Sequence, residues 1–200
     1  MSISKKYLTN RVTGELGQAS AIYFPSTLDE VKEVVKMIHQ NKQQLITIGG
    51  HTGLSGATFP DNNQVLMSLE KLNRIISLDT ETLTLTVEAG VTIAQIAEFL
   101  SDTPFFYAPD PGSKAASIGG NAATNAGGMR AVKYGVTRDN IRAMRVLLAD
   151  GQAMQVGSIN RKDSSGYDLK DVFIGSEGTL GVITELDLKI QPKPRYQREI

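Results

Sequence analysis

The chain has 200 residues, 40% of them apolar, and its 21 Lys and Arg are balanced by 21 Asp and Glu, for a formal net charge of zero. That length can bury a real core, as one domain or as two lobes, and the charge balance excludes the broad basic field on which nucleic-acid binding rests. The absence of cysteine excludes disulfides, thiolate metal sites and a cysteine nucleophile, and fits a reducing, cytoplasmic compartment.

The N-terminal MSISKKYLTNRV has no apolar signal core, and no run approaches the ~20 apolar residues of a membrane span. After Pro25, the stretch LDEVKEVVKMIHQNK places Leu28, Val31, Val34, Val35 and Ile38 at helical spacing, with Ser26 or Thr27 as cap and Asn41 as stop. His39, near the end of that helix, reads as a solvated residue favourable to the helix dipole. Gln44 to Ile48 predicts a short strand that opens directly into glycines, and Gln64 to Leu69 predicts another. Arg74 to Glu88 alternates around a polar Asp79 to Glu81 turn, the pattern of a hairpin. Val91 to Leu100 predicts a second helix, capped by Thr92. Met144 to Leu148, Met154 to Val156 and Gly181 to Ile190 read as strands, the first two joined through Asp150 and Gly151 in a tight turn. The second half is therefore expected to be mostly antiparallel β, and PKPRYQREI suits an exit toward another domain.

Three glycine-rich segments stand out: IGGHTGLSGA from Ile48, the run PDPGSKAASIGGNAATNAGG from Pro109, and IGSEGTLGVIT from Ile174. Residues without Cβ let consecutive amides point into one concavity, which suits a pyrophosphate. A single such loop is equally an ordinary turn. Neither a Rossmann G-x-G-x-x-G after a strand nor a P-loop is present, so any dinucleotide is held another way. The second segment reads as a functional loop of about twenty residues. With only two histidines, no metal cluster, Ser-His-Asp set or catalytic carboxylate pair is apparent.

Five segments in order, FPSTLDEVKEVV, IGGHTGLSGA, TVEAGVTIAQI, PDPGSKAASIGGNAATNAGGMRAVKYGVTRDNI and IGSEGTLGVITELDLKIQPKP, resemble the FAD-binding (PCMH-type) domain of the vanillyl-alcohol oxidase and p-cresol methylhydroxylase superfamily. The resemblance spans nearly the whole chain. It points to the D-2-hydroxyacid branch, which includes D-lactate dehydrogenase, the glycolate oxidase flavin subunit and D-2-hydroxyglutarate dehydrogenase. It implies an α+β fold of two lobes, a small βαβ lobe over about residues 1–76 and a larger lobe with an antiparallel sheet and helices over about 77–193, with FAD between them. It also implies that a C-terminal substrate domain, absent here, holds the substrate determinants, so that these 200 residues alone are inactive.

By that resemblance Gly49, Gly50, His51, Thr52 and Gly53, with Ser55 nearby, cradle the pyrophosphate. Pro109, Asp110, Ser113, Gly119, Gly120, Asn121, Thr124, Asn125, Gly127 and Gly128 line the cofactor, followed by Gly135, with Tyr134 beside it in the core. Glu177, Gly178, Gly181 and Ile183 lie toward the adenine. Ile48 stands where family members often carry arginine, and Ala57 where they carry glycine. Some relatives attach the flavin covalently through a histidine in the first loop. Aligning on Gly49 and Gly50 brings His51 near that position, whereas aligning on Thr52 and Gly53 preserves five following residues and implies noncovalent FAD, which is the expectation adopted, with His51 contributing a donor. Arg161, Lys162 and Tyr167 resemble a stretch beside the flavin but read more simply as a solvated loop.

The implied activity is oxidation of a D-2-hydroxy acid to the 2-oxo acid, the hydride passing to the flavin and the electrons to an acceptor partner other than NAD. Two alternatives stay open: a flavin-free accessory subunit of such a complex, and a UDP-N-acetylenolpyruvoylglucosamine reductase-like protein using NADPH.

Overall fold

The computed structural model describes residues 3–160 and 162–196. In chain order the elements are α1 (Lys5–Leu8), β1 (Ala19–Tyr23), α2 (Leu28–Gln40), β2 (Leu45–Ile48), β3 (Asn63–Ser68), β4 (Ile75–Asp79), β5 (Thr84–Glu88), α3 (Ile93–Phe99), β6 (Phe105–Tyr107), α4 (Ile118–Thr124), α5 (Ala131–Tyr134), a 3-10 turn at Arg138–Asn140, β7 (Ile141–Leu147), β8 (Ala153–Gly157), α6 (Lys170–Phe173) and β9 (Val182–Pro192). Among the described residues no helix is long and apolar enough to cross a membrane.

The strands form two sheets, in an α+β arrangement of two lobes as expected. β1, β3 and β2 make a parallel sheet in that order, and β4, β5, β9, β7 and β8 make an antiparallel one, with β6 added to the C-terminal end of β9. The parallel sheet is covered on both faces, as parallel sheets require. On β3, Met67 faces the main core with Val31 and Val35 of α2, while its neighbour Leu66 joins Ile48 and Tyr7 in a small second core, the alternation a strand imposes.

Both predicted amphipathic helices form where their caps place them. Thr27 Oγ1 accepts from the Glu30 amide at 3.2 Å, and Glu30 in turn accepts from the Ser26 amide at 2.6 Å. Val31, Val35 and Ile38 are the buried stripe of α2. Thr92 and Gln95 form a reciprocal capping box on α3. The predicted hairpin is β4 and β5, with Asp79 Oδ1 accepting the amides of Glu81 and Thr82 in its turn. Gly151, at φ +84°, makes the turn between β7 and β8.

The second glycine-rich segment departs from the expected loop: it carries the helix α4. Ser117 caps it, Ile118 and Ala122 are fully buried, and the Ile118 and Gly119 amides donate to Val91 and Ala89 at 2.8 Å. Apolar anchoring at two positions one turn apart outweighs the weak helix propensity of two successive glycines. Three further elements, α1, β1 and β6, carry no strong periodic signal, since each is short and β1 is built of Ala, Ser, Ala, Ile and Tyr.

Candidate functional site

β2 delivers the first glycine segment to the seam between the lobes, because Ile48 at its end is fully buried and the chain must turn at once. There Gly49 and Gly50 pass so close to residues 115–117 that side chains would not fit. A Cβ on Gly50 would strike the Ala115 carbonyl oxygen and lie 2.9 Å from the Ser117 nitrogen. Ser117 Oγ closes this junction. It accepts from the Gly50 amide at 3.0 Å and from the Gly120 amide at 3.3 Å, so one buried hydroxyl clips the first segment to the start of α4.

The third segment is tied to the other end of α4. The Gly175 amide donates to Ala122 at 3.0 Å and the Glu177 amide to Ala123 at 2.8 Å, with Glu177 in a left-handed conformation at φ +53°. Three stretches far apart in sequence thereby meet. Gly49, Gly50, His51, Thr52, Gly53 and Ser55 from the first, Gly120, Asn121 and Thr124 from the second, and Glu177 from the third line one groove. It continues into a hollow lined by Gly119, Gly178, Gly181 and Ile183, the two sharing Thr47, Gly49, Ser117, Gly120, Ala123 and Glu177.

The groove is a donor surface. The amides of Thr52, Gly53 and Ser55 have no hydrogen-bond acceptor among the described residues, and Asn121 Nδ2 is buried in the groove wall without a partner. A buried amide donor left unpaired costs about 1–3 kcal/mol, and an anionic ligand relieves that cost while accepting from the neighbouring main-chain N-H groups. A pyrophosphate fits this donor set. No Lys or Arg lines either hollow among the described residues.

His51 does more than line the wall. Its φ is +51°, and its carbonyl accepts from Arg11 Nη1 at 2.6 Å. The imidazole is buried, with its ring centroid 6.3 Å from that of Tyr7 and Nδ1 3.3 Å from Thr58 Oγ1. Burial, followed by the charges of Arg11 and Lys6, pushes its pKa below the usual histidine value against a weaker pull from the backbone at Lys6 and Thr9.

Seven expected site residues lie away from the groove. Pro109 and Asp110 line a separate pocket beneath α3, where the Asp110 carboxylate pairs with Lys114 and, at 3.6 Å, with Arg130. Gly128 packs on the Asp110 carbonyl, and Gly127 lies near Val136. Asn125 ends α4 in the left-handed conformation and accepts from the Arg138 amide at 3.0 Å, while Gly135, at φ +80°, ends α5 beside Asp139. The Ser113 carbonyl accepts from the Ala116 amide. Tyr134 is half-buried, edge-on to Phe106.

A larger cavity, about 700 Å³, lies elsewhere. It sits at the far end of the antiparallel sheet among Arg142, Tyr167, Lys170 and Lys189, and contains none of the expected cofactor residues. Its Lys170 is already paired with Asp168 and Asp171, so size alone does not mark the site. Tyr167 is exposed there, Lys162 is an exposed residue that does not line it, and Arg161 lies outside the described residues.

Sequence reasoning missed Thr47, Thr58, Ala123, Ser117 and Arg11. A hydroxyl residue directly before IGGNAAT is a helix-cap signal that would have found Ser117. No sequence signal points to Arg11, because its distance to His51 depends on how the N-terminal segment folds back.

Comparison with known proteins agrees with this geometry. The FAD binding domain family model matches residues 19–157. A D-lactate dehydrogenase of Anaerostipes hadrus is 46% identical over 170 residues, which is 85% of this chain and 36% of that protein. The glycolate oxidase subunit GlcD of Bacillus subtilis (strain 168) is 37% identical over 181 residues, covering 90% of this chain and 38% of its own length. Among solved structures, an alkyldihydroxyacetonephosphate synthase superposes with a TM-score of 0.77 at 26% identity, over 88% of this chain and 34% of that one. The chain thus spans about a third of the length of the relatives it matches. With the family model covering well over half of its residues and three glycine segments meeting in one donor-lined groove, this chain belongs to the FAD binding domain family.

Proposed function

We propose that this chain is the cofactor-holding portion of a flavin-dependent oxidoreductase that converts a D-2-hydroxy acid, of the lactate, glycolate or 2-hydroxyglutarate class, to the 2-oxo acid. The observation that carries the reading is the single groove formed by the three glycine segments, with its unpaired Asn121 Nδ2 and free amides. FAD, when bound, supplies the acceptor for a hydride from the carbon bearing the hydroxyl. The residues of this chain bind and orient. The free donors of Thr52, Gly53, Ser55 and Asn121 hold the pyrophosphate, Gly49, Gly50, Gly120 and Thr124 line its groove, and Gly119, Glu177, Gly178, Gly181 and Ile183 border the adenosine end. Pro109, Asp110, Ser113, Asn125, Gly127, Gly128 and Gly135 set the path of the backbone that carries α4. His51 is enclosed by Tyr7 and Thr58, which supports noncovalent attachment.

The names of the relatives support the substrate class, and GlcD, being a subunit, supports a partner that receives the electrons. The cysteine-free composition supports a cytoplasmic setting. Groups that fix the carboxylate of the acid and take its hydroxyl proton belong, on this reading, to the part of the relatives that this chain does not span.

The purified chain is expected to be yellow, or to quench FAD fluorescence on titration with a single site. A colourless protein that takes up no FAD would refute the cofactor assignment, and bleaching of the bound flavin by NADPH would move the activity to the reductase class. Rapid bleaching by D-lactate in the chain alone would overturn the placement of the substrate determinants outside it.

A further inference from the structure

Among the described residues, every hydrogen-bond donor in the groove wall belongs to an uncharged group, and the one ionisable carboxylate that lines it, Glu177, opposes an anion. A cation nevertheless reaches the loop from behind. Arg11 stands on a hairpin tip that lies outside the matched family region. The Asn10 amide donates to Glu15 at 2.8 Å, Asn10 Oδ1 accepts the amides of Val12 and Thr13, and the Gly17 amide donates to Leu8. The Gln18 amide then donates to Pro60 at 2.9 Å, fastening the hairpin to the end of the loop that begins at Gly49. Arg11 forms no ion pair among the described residues, and its one hydrogen bond is the 2.6 Å contact with the His51 carbonyl.

We propose that Arg11 is the positioning residue of the phosphate loop: by gripping the His51 carbonyl it orients and polarises the His51-Thr52 peptide so that the Thr52 N-H is presented to a ligand phosphate. In a trans peptide the C=O and N-H vectors point in opposite directions, so a donor holding the carbonyl on one side turns the next amide toward the other. Thr52 lines the groove and its amide has no acceptor among the described residues. A guanidinium on the carbonyl strengthens that amide as a donor, since a charge-assisted bond polarises the peptide through which it passes. It also holds His51 at φ +51°, a region that a non-glycine residue occupies only when its surroundings require it. The proposal rests on the FAD reading for the identity of the phosphate and on the geometry for the rest.

Arg11→Ala and Arg11→Lys, two exposed substitutions, test it through two measurements. The first is the amide resonance of Thr52 in the ligand-free chain, and the second is the dissociation constant for FAD by fluorescence quenching. Arg11→Ala is expected to move the Thr52 resonance and weaken FAD about tenfold, with the melting temperature kept within about 2 °C. Arg11→Lys, which keeps the charge and a donor, is expected to stay within about threefold of the unmodified chain. FAD binding by Arg11→Ala within about twofold of the unmodified chain, or an equal loss in both variants, would overturn the proposal. If the unmodified chain binds no FAD, the cofactor reading falls by itself. The Thr52 resonance then decides the positioning role, supporting it if moved by Arg11→Ala and overturning it if unmoved.

Discussion

Replacing Ser117 with alanine removes a single oxygen that serves two segments. The hydroxyl caps α4 by accepting from the Gly120 amide at 3.3 Å and holds the first glycine loop by accepting from the Gly50 amide at 3.0 Å. Loss of a serine cap costs about 1 kcal/mol. Gly50 is half-buried, so its amide, left without an acceptor, costs about another 1 kcal/mol, the low end for a buried donor. The expected destabilisation of about 2 kcal/mol lowers the melting temperature by about 4–8 °C for a chain of this size. Ser117→Gly separates the two effects, because glycine is a tolerable cap that loses only a few tenths of a kcal/mol there yet offers the Gly50 amide nothing. It should fall between the unmodified protein and the alanine variant. Urea unfolding with calorimetry reads the stability, and FAD titration reads the loop. An Ser117→Ala change below about 0.5 kcal/mol, with FAD affinity unaltered, would refute the view that this hydroxyl joins the two segments.

The same contacts set three further expectations. Gly50→Ala places a methyl against the Ala115 carbonyl and within 3.2 Å of Ala116 Cα. It should cost about 1–3 kcal/mol by overpacking and abolish FAD binding; unchanged FAD titration would show that the loop does not need this close approach. Asn121→Leu replaces a buried donor without a partner by an apolar group of similar volume. It should leave the ligand-free protein as stable or up to about 1 kcal/mol more stable while weakening FAD about tenfold, and tighter FAD binding would contradict a ligand-facing role. Because burial and nearby cations hold the pKa of His51 below its unfolded value of about 6.5, the unfolded chain binds the proton first. The contribution of His51 is therefore fully present above about pH 6.5 and is lost as pH falls below it. Unfolding free energies from pH 7.5 to 5.5 should decline, and His51→Gln should flatten that decline. An equal slope in both proteins would assign the pH dependence elsewhere.

Much of this protein is legible in its sequence, wherever the deciding interactions are local. A cap at Thr27 or Thr92 lies within three residues of the amide it serves, and the stripe Val31, Val35, Ile38 repeats at the pitch of the helix it stabilises. The turns at Asp79 and Gly151, the alternation of β4 and β5, and the three glycine segments are likewise written in neighbouring residues. What those residues do not encode is which distant stretch each one meets. That α4 interrupts the second segment depends on Val91 and Ala89 receiving its first amides, and that β1 is a strand depends on β3 beside it. The sequence does not show that the Asp110 carboxylate pairs with Lys114 and Arg130, nor that the Ser117 hydroxyl, besides capping α4, accepts from the Gly50 amide. Helix caps and periodicity are short-range terms read along the chain, whereas the groove arises from how the two sheets and α4 pack against one another. Only that assembly brings Gly49, Asn121 and Glu177 to one surface and sets Arg11 behind it.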